Sequence, residues 1–365
     1  MNRLDNDIYT HEQMNNILKS NRSVKYRYEI LDKNEIPIKE ISASGSINFD
    51  STADITSGAS FEVNEYELQG IDLVNARIKP YMQVMTPSGY VDYPLGVYLI
   101  SAPNRNSDGV TVTRQLDCYD KSLILNEDKF TSRYYVSKNQ QYTQVIKNIL
   151  ESANIFNHDI NVSQLTIQND IEFEIGTTKL SAINQLLKAI NYTPIWFDNQ
   201  GYARAGVYVS PNMRNEEYSY LTDEQSITFV GISQNIDTFN IPNIIIRYTS
   251  NPEVDYLYAK YVNDNPSSKL STITRGRNVV DSATISDIAN QSTLEQYVRR
   301  LADEQALYEE IIFDTAIMPH HTYLDCLKIE NKELNIDDSY IEQAWTINLE
   351  VGGKMNHRCR RMVIL

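Results

Sequence analysis

The chain has 365 residues and a formal net charge of −15, from 48 acidic and 33 basic side chains. This charge disfavours a generic nucleic-acid-binding protein, because such proteins need a basic surface to displace counterions from phosphates. No run approaches the roughly 18 apolar residues of a membrane span, and the start MNRLDNDIYTHEQ lacks the apolar core of a signal peptide. The length predicts two to four domains, which we expect to stay in a cytoplasm until assembly or lysis.

Residues 1–125 predict an antiparallel β-barrel. A short polar helix is expected at 9–20, and a half-buried strand follows in which apolar residues alternate with charged ones: Val24, Tyr26, Tyr28 and Ile30. Further short strands are predicted at 36–42, 45–50, 55–63, 77–86 and 90–93. Six or more strands in about 120 residues are typical of a barrel or a sandwich.

A hairpin that leads into a helix ends this region, with the sequence YPLGVYLISAPNRNSDGVTVTRQLDCYDKSLIL. We expect arms at 95–101 and 110–119, joined by a loop at 102–109 that contains an Asp-Gly turn signal. Arg114 falls on the apolar face of the second arm and therefore needs a partner or a route to water. Asp120 is placed to cap a helix at 121–126, because its carboxylate can accept free backbone N–H groups.

Residues 126–222 predict an α+β module. Apolar residues at helical spacing indicate helices at 142–153 and 179–191, the second with Thr177 or Thr178 as its N-cap. Short strands are predicted around them, and Asn199-Gln200-Gly201 is expected to be the turn of a hairpin.

Residues 223–365 predict a second antiparallel β-barrel. A helix at about 292–308 is inserted into it, opened by Ser292 and Glu295 as a capping box. In the strand at 341–351, three apolar residues alternate with polar ones and are expected to face the core: Trp345, Ile347 and Leu349. The predicted fold class is therefore mainly β, with two antiparallel barrels joined by a smaller α+β domain.

The histidine pair His320-His321 is the most tempting candidate for a metal site. Adjacent residues on a strand point in opposite directions, so both rings rarely reach one ion. His357 is 36 residues from His321, and no ligand-spacing motif connects them. We therefore interpret these histidines as surface or interface residues and predict no metal.

Other candidates for chemistry are equally weak. Glu309-Glu310 and Asp337-Asp338 have the carboxylates that glycoside hydrolysis needs, but chance pairs are unavoidable among 48 acidic residues. We place the first pair at a helix end and the second in a solvated loop. The sequence has no GxSxG, HExxH, Walker A or GxGxxG motif. We predict that the protein is not an enzyme and has no catalytic or cofactor-binding residues.

The cysteines are expected to be free and unreactive. Cys118, Cys326 and Cys359 are odd in number and widely spaced, which argues against disulfides and zinc binding. Cys118 also lies on an apolar strand face and forms no recognisable nucleophile arrangement with a histidine.

A basic cluster near the C-terminus stands out against the acidic background: Lys354, His357, Arg358, Arg360 and Arg361. One interpretation is contact with an acidic partner subunit or a neighbouring copy. The other is a solvated edge strand, where charges discourage unwanted strand pairing. The sequence leaves both open.

Three segments carry a resemblance that recurs in order along the chain: PLGVYLIS with VTVTRQLDCYDKSLIL, then GTTKLSAINQLLKAINYTPIWFDNQGYARA, then AWTINLEVGGKMNHRCRRMVIL. They resemble the baseplate hub proteins of contractile phage tails and phage-tail-like bacteriocins, a group that includes XkdQ-type prophage hubs and is similar to the T4-type central hub. The resemblance implies two tail-tube-like barrels per chain with smaller domains attached. It also implies a homotrimer that adapts a sixfold tail tube to a threefold spike.

The resemblance further implies the protein's partners and location. They are the tail tube protein, the central spike protein, the tape-measure protein and the baseplate wedge proteins, in a virion or tail-like particle made in a bacterial cytoplasm. No membrane contact before injection and no specific nucleic-acid binding are expected. The alternative is a tail-associated cell-wall hydrolase or glycan-binding protein, which we disfavour because the second barrel is expected to run to Leu365.

Overall fold

The computed structural model describes residues 1–224, 226–239, 241–249, 256–285 and 287–361. Its first part contains one helix and eight strands: α1 (His11–Lys19), β1 (Val24–Leu31), β2 (Pro37–Ile41), β3 (Ala43–Asp50), β4 (Ser57–Asn64), β5 (Arg77–Thr86), β6 (Gly89–Pro94), β7 (Tyr98–Ser107) and β8 (Val112–Tyr119). A 3-10 helix, Glu65–Leu68, follows β4. Thr10 caps α1 by accepting a hydrogen bond from the N–H of Gln13.

The middle part alternates helices with short strands: α2 (Ser122–Glu127), β9 (Tyr134–Val136), α3 (Tyr142–Ser152), β10 (His158–Ile160), β11 (Ile171–Phe173), α4 (Lys179–Ala189), β12 (Trp196–Phe197) and β13 (Ala203–Ala205). Thr178 is the N-cap of α4 and accepts the N–H of Ser181. Gly201 has φ +84°, a left-handed conformation that suits glycine in the predicted turn between β12 and β13.

The last part returns to strands: β14 (Tyr218–Tyr220), β15 (Thr228–Ile236), β16 (Ile244–Thr249), β17 (Tyr258–Val262), α5 (Thr272–Arg275), β18 (Val280–Ile285), α6 (Gln291–Ala306), β19 (Glu309–Ala316), β20 (Cys326–Asn331), β21 (Ile336–Asn348) and β22 (Lys354–Arg361). The predicted mainly β fold with an α+β module is confirmed. No helix among the described residues is long and apolar enough to cross a membrane.

One 14-stranded sheet joins the two predicted β regions. Its main path is β15-β19-β22-β21-β3-β4-β8-β7-β5-β1-β2, with β6 paired to β5 and with β14 and β20 attached beside β21. The connection is made by β21, because its first half pairs with β20 and its second half pairs with β3, from Ala344 opposite Asp50 to Asn348 opposite Ser46. A single hydrophobic core packs under both regions and includes Phe61, Leu116 and Ile347.

The two larger of the remaining hydrophobic clusters lie beside this sheet. Helices α3 and α4 pack with the short strands around a core that includes Ile146 and Leu186. A separate three-stranded sheet, in the order β17-β16-β18, packs against α6 through Ile245 and Leu294. The insertion in the last β region is therefore a small sheet with its helix, not a helix alone.

Two local predictions need correction. The first arm of the hairpin continues as β7 to Ser107, so only a short turn remains, in which Asp108 accepts the N–H groups of Val110 and Thr111. Helix α6 begins before the predicted capping box, because Asn290 is its N-cap and accepts the N–H of Thr293. The last four residues of the chain, at the end of the predicted second barrel, lie outside the described residues.

Two predictions from the hairpin are confirmed. Arg114 finds its partner in Glu65, 2.8 Å away, and donates a second hydrogen bond to the carbonyl of Pro103. The carboxylate of Asp120 accepts the N–H of Ser122 at the start of α2. The same carboxylate also accepts the N–H of Ser57, so this buried group ties α2 to the start of β4.

Candidate functional site

Two histidines and a glutamate that are distant in sequence meet in the interior of the last β region. Each oxygen of the Glu342 carboxylate lies 2.5 Å from a ring Nδ1, one of His321 and the other of His357. The opposite ring nitrogens are also satisfied, since His321 Nε2 lies 2.7 Å from the Tyr220 hydroxyl and His357 Nε2 lies 2.8 Å from the Thr315 hydroxyl. We call His321, Glu342 and His357 the buried triad.

The fold brings the triad together at the place where the sheet changes partners. Glu342 lies on β21, beside a register shift between Glu342 and Ala344 in its pairing with β22. His357 is on β22, and His321 comes from the connection between β19 and β20. The N–H of Glu342 donates to the carbonyl of Asp325 and holds this connection against β21.

Two predictions about the histidines are therefore wrong. His320 and His321 lie in a turn-containing connection and not on a strand, and each is only 1% exposed. His357 is also fully buried. The tertiary structure brings it next to His321, although the two residues are 36 positions apart in the sequence. Alternation on β22 was an available signal, since His357 lies between the apolar residues Met355 and Cys359 at the period of a strand.

The electrostatics of the triad keep the glutamate ionised. Burial alone would raise the pKa of Glu342, but the two imidazoles lower it to about 2. Burial lowers the pKa of His357 even though Glu342 opposes the shift. Next to the triad, burial lowers the pKa of His320 well below its usual value, and neither ring nitrogen of His320 has a hydrogen-bond partner among the described residues.

The triad fits a hydrogen-bonded network better than a metal centre. Its ligand atoms are close enough to one another to suggest an ion. However, donors that share a metal at about 2.0–2.2 Å in a tetrahedral site lie about 3.3 Å apart, and the nitrogen–oxygen separations here are 2.5 Å. The oxygens of Glu342 are directed at the ring nitrogens, so the residues present offer no open position for a cation.

The structure also changes the interpretation of the paired carboxylates. Glu309 and Glu310 begin β19 instead of ending a helix, and Glu309 is 1% exposed. Its carboxylate accepts hydrogen bonds from Tyr340 and Gln234. These partners and the guanidinium of Arg361 lower the pKa of Glu309 despite burial, which would raise it.

The second carboxylate pair is not in a loop. Asp337 and Asp338 lie in β21, where Asp337 is 2.8 Å from Lys328 and Asp338 forms an ion pair with Arg361. None of the four candidate carboxylates is thus free of a cationic or hydrogen-bonding partner.

The basic cluster is not an edge strand. Its strand β22 lies between β19 and β21. Its long side chains pair with acidic residues of the same chain: Arg358 with Asp50, Arg360 with Glu310, Arg361 with Glu309, and Lys354 with Asp314. These pairs connect β22 to its neighbours and to β3. Contact of the cluster with an acidic partner or a neighbouring copy stays a prediction.

The three cysteines are free, as predicted, and all three are buried. Burial raises the pKa of the Cys326 thiol to about 11, so it is not a reactive thiolate at neutral pH.

A polar face covers the side of the large sheet that points away from the core. Asn48, Thr346 and Asn348 alternate with core residues on β3 and β21. Ion pairs such as Arg358–Asp50 and hydrogen bonds between neighbouring strands, such as Asn356 to Asp314 at 2.8 Å, continue this face. These amide and hydroxyl side chains, together with the ion pairs within the chain, make this part of the face hydrophilic.

Comparison with solved structures shows which proteins share this fold. The tail protein from Neisseria meningitidis MC58 superposes with a TM-score of 0.68 at 12% identity, over 93% of this chain and 98% of the other. The 43 kDa tail protein of prophage MuSo2 from Shewanella oneidensis gives 0.65 at 10% identity, over 93% and 98%. Prophage tail protein gp18 from Listeria monocytogenes EGD-e gives 0.54 at 10% identity, over 91% and 94%.

These matches confirm the resemblance to phage tail proteins at the level of the fold. They cover nearly the whole of both chains, so the α+β module and the large sheet share one arrangement with the tail proteins. No family model matches the sequence, and no curated protein matches it either.

Proposed function

We propose that the protein is a structural baseplate hub of a contractile tail, in a phage or a tail-like bacteriocin. The observation that carries the proposal is the near-complete match in fold to three phage tail proteins. The division into residues 1–125, 126–222 and 223–365 is part of the proposal, with the first and last units as tube-like domains. No catalytic activity is needed for this role.

In the proposed assembly, three copies form a ring on the tail axis. Each copy contributes two β units, so three copies give six similar units that match a sixfold tube above and a threefold spike below. The ring would contact the tail tube, central spike, tape-measure and wedge proteins of the particle. The polar face of the large sheet is the surface that we assign to the channel.

This assignment predicts the chemical character of the channel wall. Exposed amide and hydroxyl side chains give a passing protein chain few apolar groups to bind. The paired charges keep the surface hydrated. We predict that acidic residues dominate the completed wall, because they repel a polyanion and keep it from sticking. Interfaces between copies are expected to bury about 2,000 Å² or more, as obligate assemblies do.

The test is an electron-microscopy reconstruction of assembled tails. The proposal expects three copies around the axis, between tube and spike. Six copies, or a position away from the axis, would refute it. Mass in dilute solution is not decisive, because tube or spike contacts can be needed to hold the ring together.

A further inference from the structure

Strand β17 lies at one edge of the inserted three-stranded sheet. In the order β17-β16-β18 it pairs with β16 in antiparallel fashion and, among the described residues, with no other strand. An unpaired strand edge presents backbone N–H and C=O groups that can pair with another chain. The backbone of β17 therefore has one side on which a further strand can be added.

The hydrogen-bonding phase of β17 is fixed at its end. The N–H of Asn263 donates to the carbonyl of Asn243 at 2.8 Å, on the side of β16. In an antiparallel ladder, alternate residues point their N–H and C=O groups to opposite edges. The backbone groups that point to the free edge are therefore those of Tyr258, Lys260 and Val262.

The first of these three residues is already bound by a side-chain amide. Gln291, at the start of α6, donates from Nε2 to the carbonyl of Tyr258 at 2.9 Å, and its Oε1 accepts the N–H of Tyr258 at 3.4 Å. A residue of a neighbouring antiparallel strand would exchange the same two hydrogen bonds with Tyr258. The free edge thus already binds an amide of its own chain, which identifies the peptide backbone as the chemistry that fits it.

The other two outward-pointing residues have no such partner. Among the described residues, no hydrogen bond reaches the backbone N–H or C=O of Lys260 or Val262 from the side of the free edge. A groove of about 430 Å³ lies here, lined by all five residues of β17 and, on α6, by Glu295, Val298 and Arg299. Pockets that bind ligands typically measure roughly 300–1,000 Å³, so the groove has room for a short stretch of extended chain.

The two faces of an added strand would have different surroundings. Ala259 and Tyr261 pack with Val298 in the core between the inserted sheet and α6. Residues directly opposite in paired strands share a face, so every second side chain of an added strand would enter the groove on the side of this core. We expect these inward side chains to be apolar, because they would continue an apolar core.

The groove also carries two cations without an acidic partner. Lys260 and Arg299 are exposed, and neither forms an ion pair among the described residues. The neighbour of Lys260 across β16 is the apolar Ile246. The carboxylate of the groove, Glu295, accepts a hydrogen bond from Gln291. Opposite charges on neighbouring strands stabilise a sheet, so an added strand is expected to carry a carboxylate beside Lys260.

We propose that β17 binds an extended, acidic segment of another protein of the tail as a fourth strand of the inserted sheet. The segment pairs its backbone with Lys260 and Val262, with a carboxylate beside Lys260 and an apolar side chain in the groove. The Gln291 amide ends the available edge at Tyr258 and so sets the register of the added strand. This inference rests on the proposed function in taking the partner from an assembled tail, but it does not require the trimeric ring.

The test is backbone hydrogen exchange, measured by mass spectrometry at single-residue resolution in the purified chain and in tails assembled in the host. In the purified chain, the N–H groups of Lys260 and Val262 should exchange fast, whereas those of Ala259 and Tyr261, which bond β16, should exchange slowly. In tails, we expect exchange at Lys260 and Val262 to slow by about a hundredfold or more, because each N–H then has an acceptor.

Three outcomes would contradict the proposal in distinguishable ways. Tails that contain the chain but leave Lys260 and Val262 in fast exchange would overturn the added strand and leave the proposed function intact. Tails that lack the chain would overturn both. Slow exchange at both residues in the concentrated purified chain would assign the edge to a second copy and overturn the partner from another protein.

A backbone variant gives an independent readout. Val262→Pro removes an N–H that points away from β16, so the purified chain should keep its unfolding midpoint to within a few degrees. In tails, the protection of Lys260 should be lost in this variant. Val262→Ala shortens the same side chain but keeps the N–H, and should retain the protection. Equal protection of Lys260 in both variants would contradict pairing through the backbone of β17.

A charge reversal tests the acidic character of the partner. Lys260→Glu places a carboxylate where the proposal expects one from the partner, and exchange at Val262 in tails should become faster by about tenfold or more. Lys269→Glu is the matched control, because Lys269 is an exposed lysine of the same insertion that does not line the groove. If Val262 were as well protected in Lys260→Glu as in Lys269→Glu, the partner would not be acidic at this position.

Discussion

Two adjacent parts of the large sheet share one core but are stabilised in different ways. Around β3 and β4, the buried residues are mostly apolar, such as Ile47 and Phe61, although the buried carboxylate of Asp120 lies at the start of β4. Around β21 and β22, the interior contains the buried triad and also Glu309, bonded to Tyr340. The first region depends on packing that any residues of the right volume could supply. The second depends on a polar network in which every member must be present.

This difference shows where the chain tolerates substitution least. Apolar packing degrades gradually when atoms are removed, whereas a buried ion loses all compensation when its partner is removed. The network also lies where β21 passes from β20 to β3, so it fixes the strand that joins the two β regions.

The largest expected effect comes from Glu342→Ala. It would leave His321 and His357 buried without their shared acceptor, and we expect a loss of about 3–5 kcal/mol in the free energy of unfolding, measured with urea. Glu342→Gln keeps the shape and one acceptor oxygen and should cost less. A loss below about 1 kcal/mol for Glu342→Ala would show that the network does not stabilise this region.

The next prediction concerns packing at the end of β21. Leu349 is buried in the core shared by both regions, and its neighbour Asn348 is exposed on the polar face. Leu349→Ala should cost about 2–5 kcal/mol, and Asn348→Ala well under 1. Similar losses from both variants in denaturant unfolding would contradict the register of this strand.

Acid should affect the two regions in opposite directions. Burial raises the pKa of Asp120, near β4, to about 6, so its stabilising contribution is present at low pH and is lost as the pH rises through 6. The pKa values of His320 and His357 are lowered, so their contribution is present above about 6.5 and is lost as the pH falls. Asp325, whose pKa burial raises, opposes the histidines within their own region.

Urea unfolding at pH 7.5 and pH 5.5 can separate these contributions. His320→Leu should reduce the loss of stability on acidification, whereas Asp120→Asn should increase it, because the compensating group is gone. At still lower pH, wild type should weaken further as the stabilising contribution of Glu342 is lost below about 4.5. If both variants lost as much stability between pH 7.5 and pH 5.5 as wild type does, neither His320 nor Asp120 would be responsible for the pH dependence of unfolding.

How far the sequence predicts this molecule depends on the range of the interactions. Alternation along 341–351 and helical spacing in 179–191 located the core faces of β21 and α4, because those patterns are local. The buried triad was missed, since its members come from two strands and a connection, and only tertiary structure brings them together. The basic cluster was ambiguous for the same reason: its acidic partners, Asp50 among them, lie up to 308 residues away.

The smallest expected effect is a null result in a cell-wall assay. The purified protein should leave peptidoglycan intact in turbidity and zymogram tests, because the candidate carboxylates are engaged in structural contacts. A glycosidase acid must hold a proton near neutral pH, but Arg361, Tyr340 and Gln234 lower the pKa of Glu309. Glu310 is held by two hydrogen bonds from Arg360. If clearing were seen and vanished in Glu309→Gln or Glu310→Gln, with the fold retained by circular dichroism, the charged groups of this region would be catalytic. The polar groups around β21 and β22 would then serve catalysis, and the contrast with the apolar packing around β3 and β4 would no longer be one of stability alone.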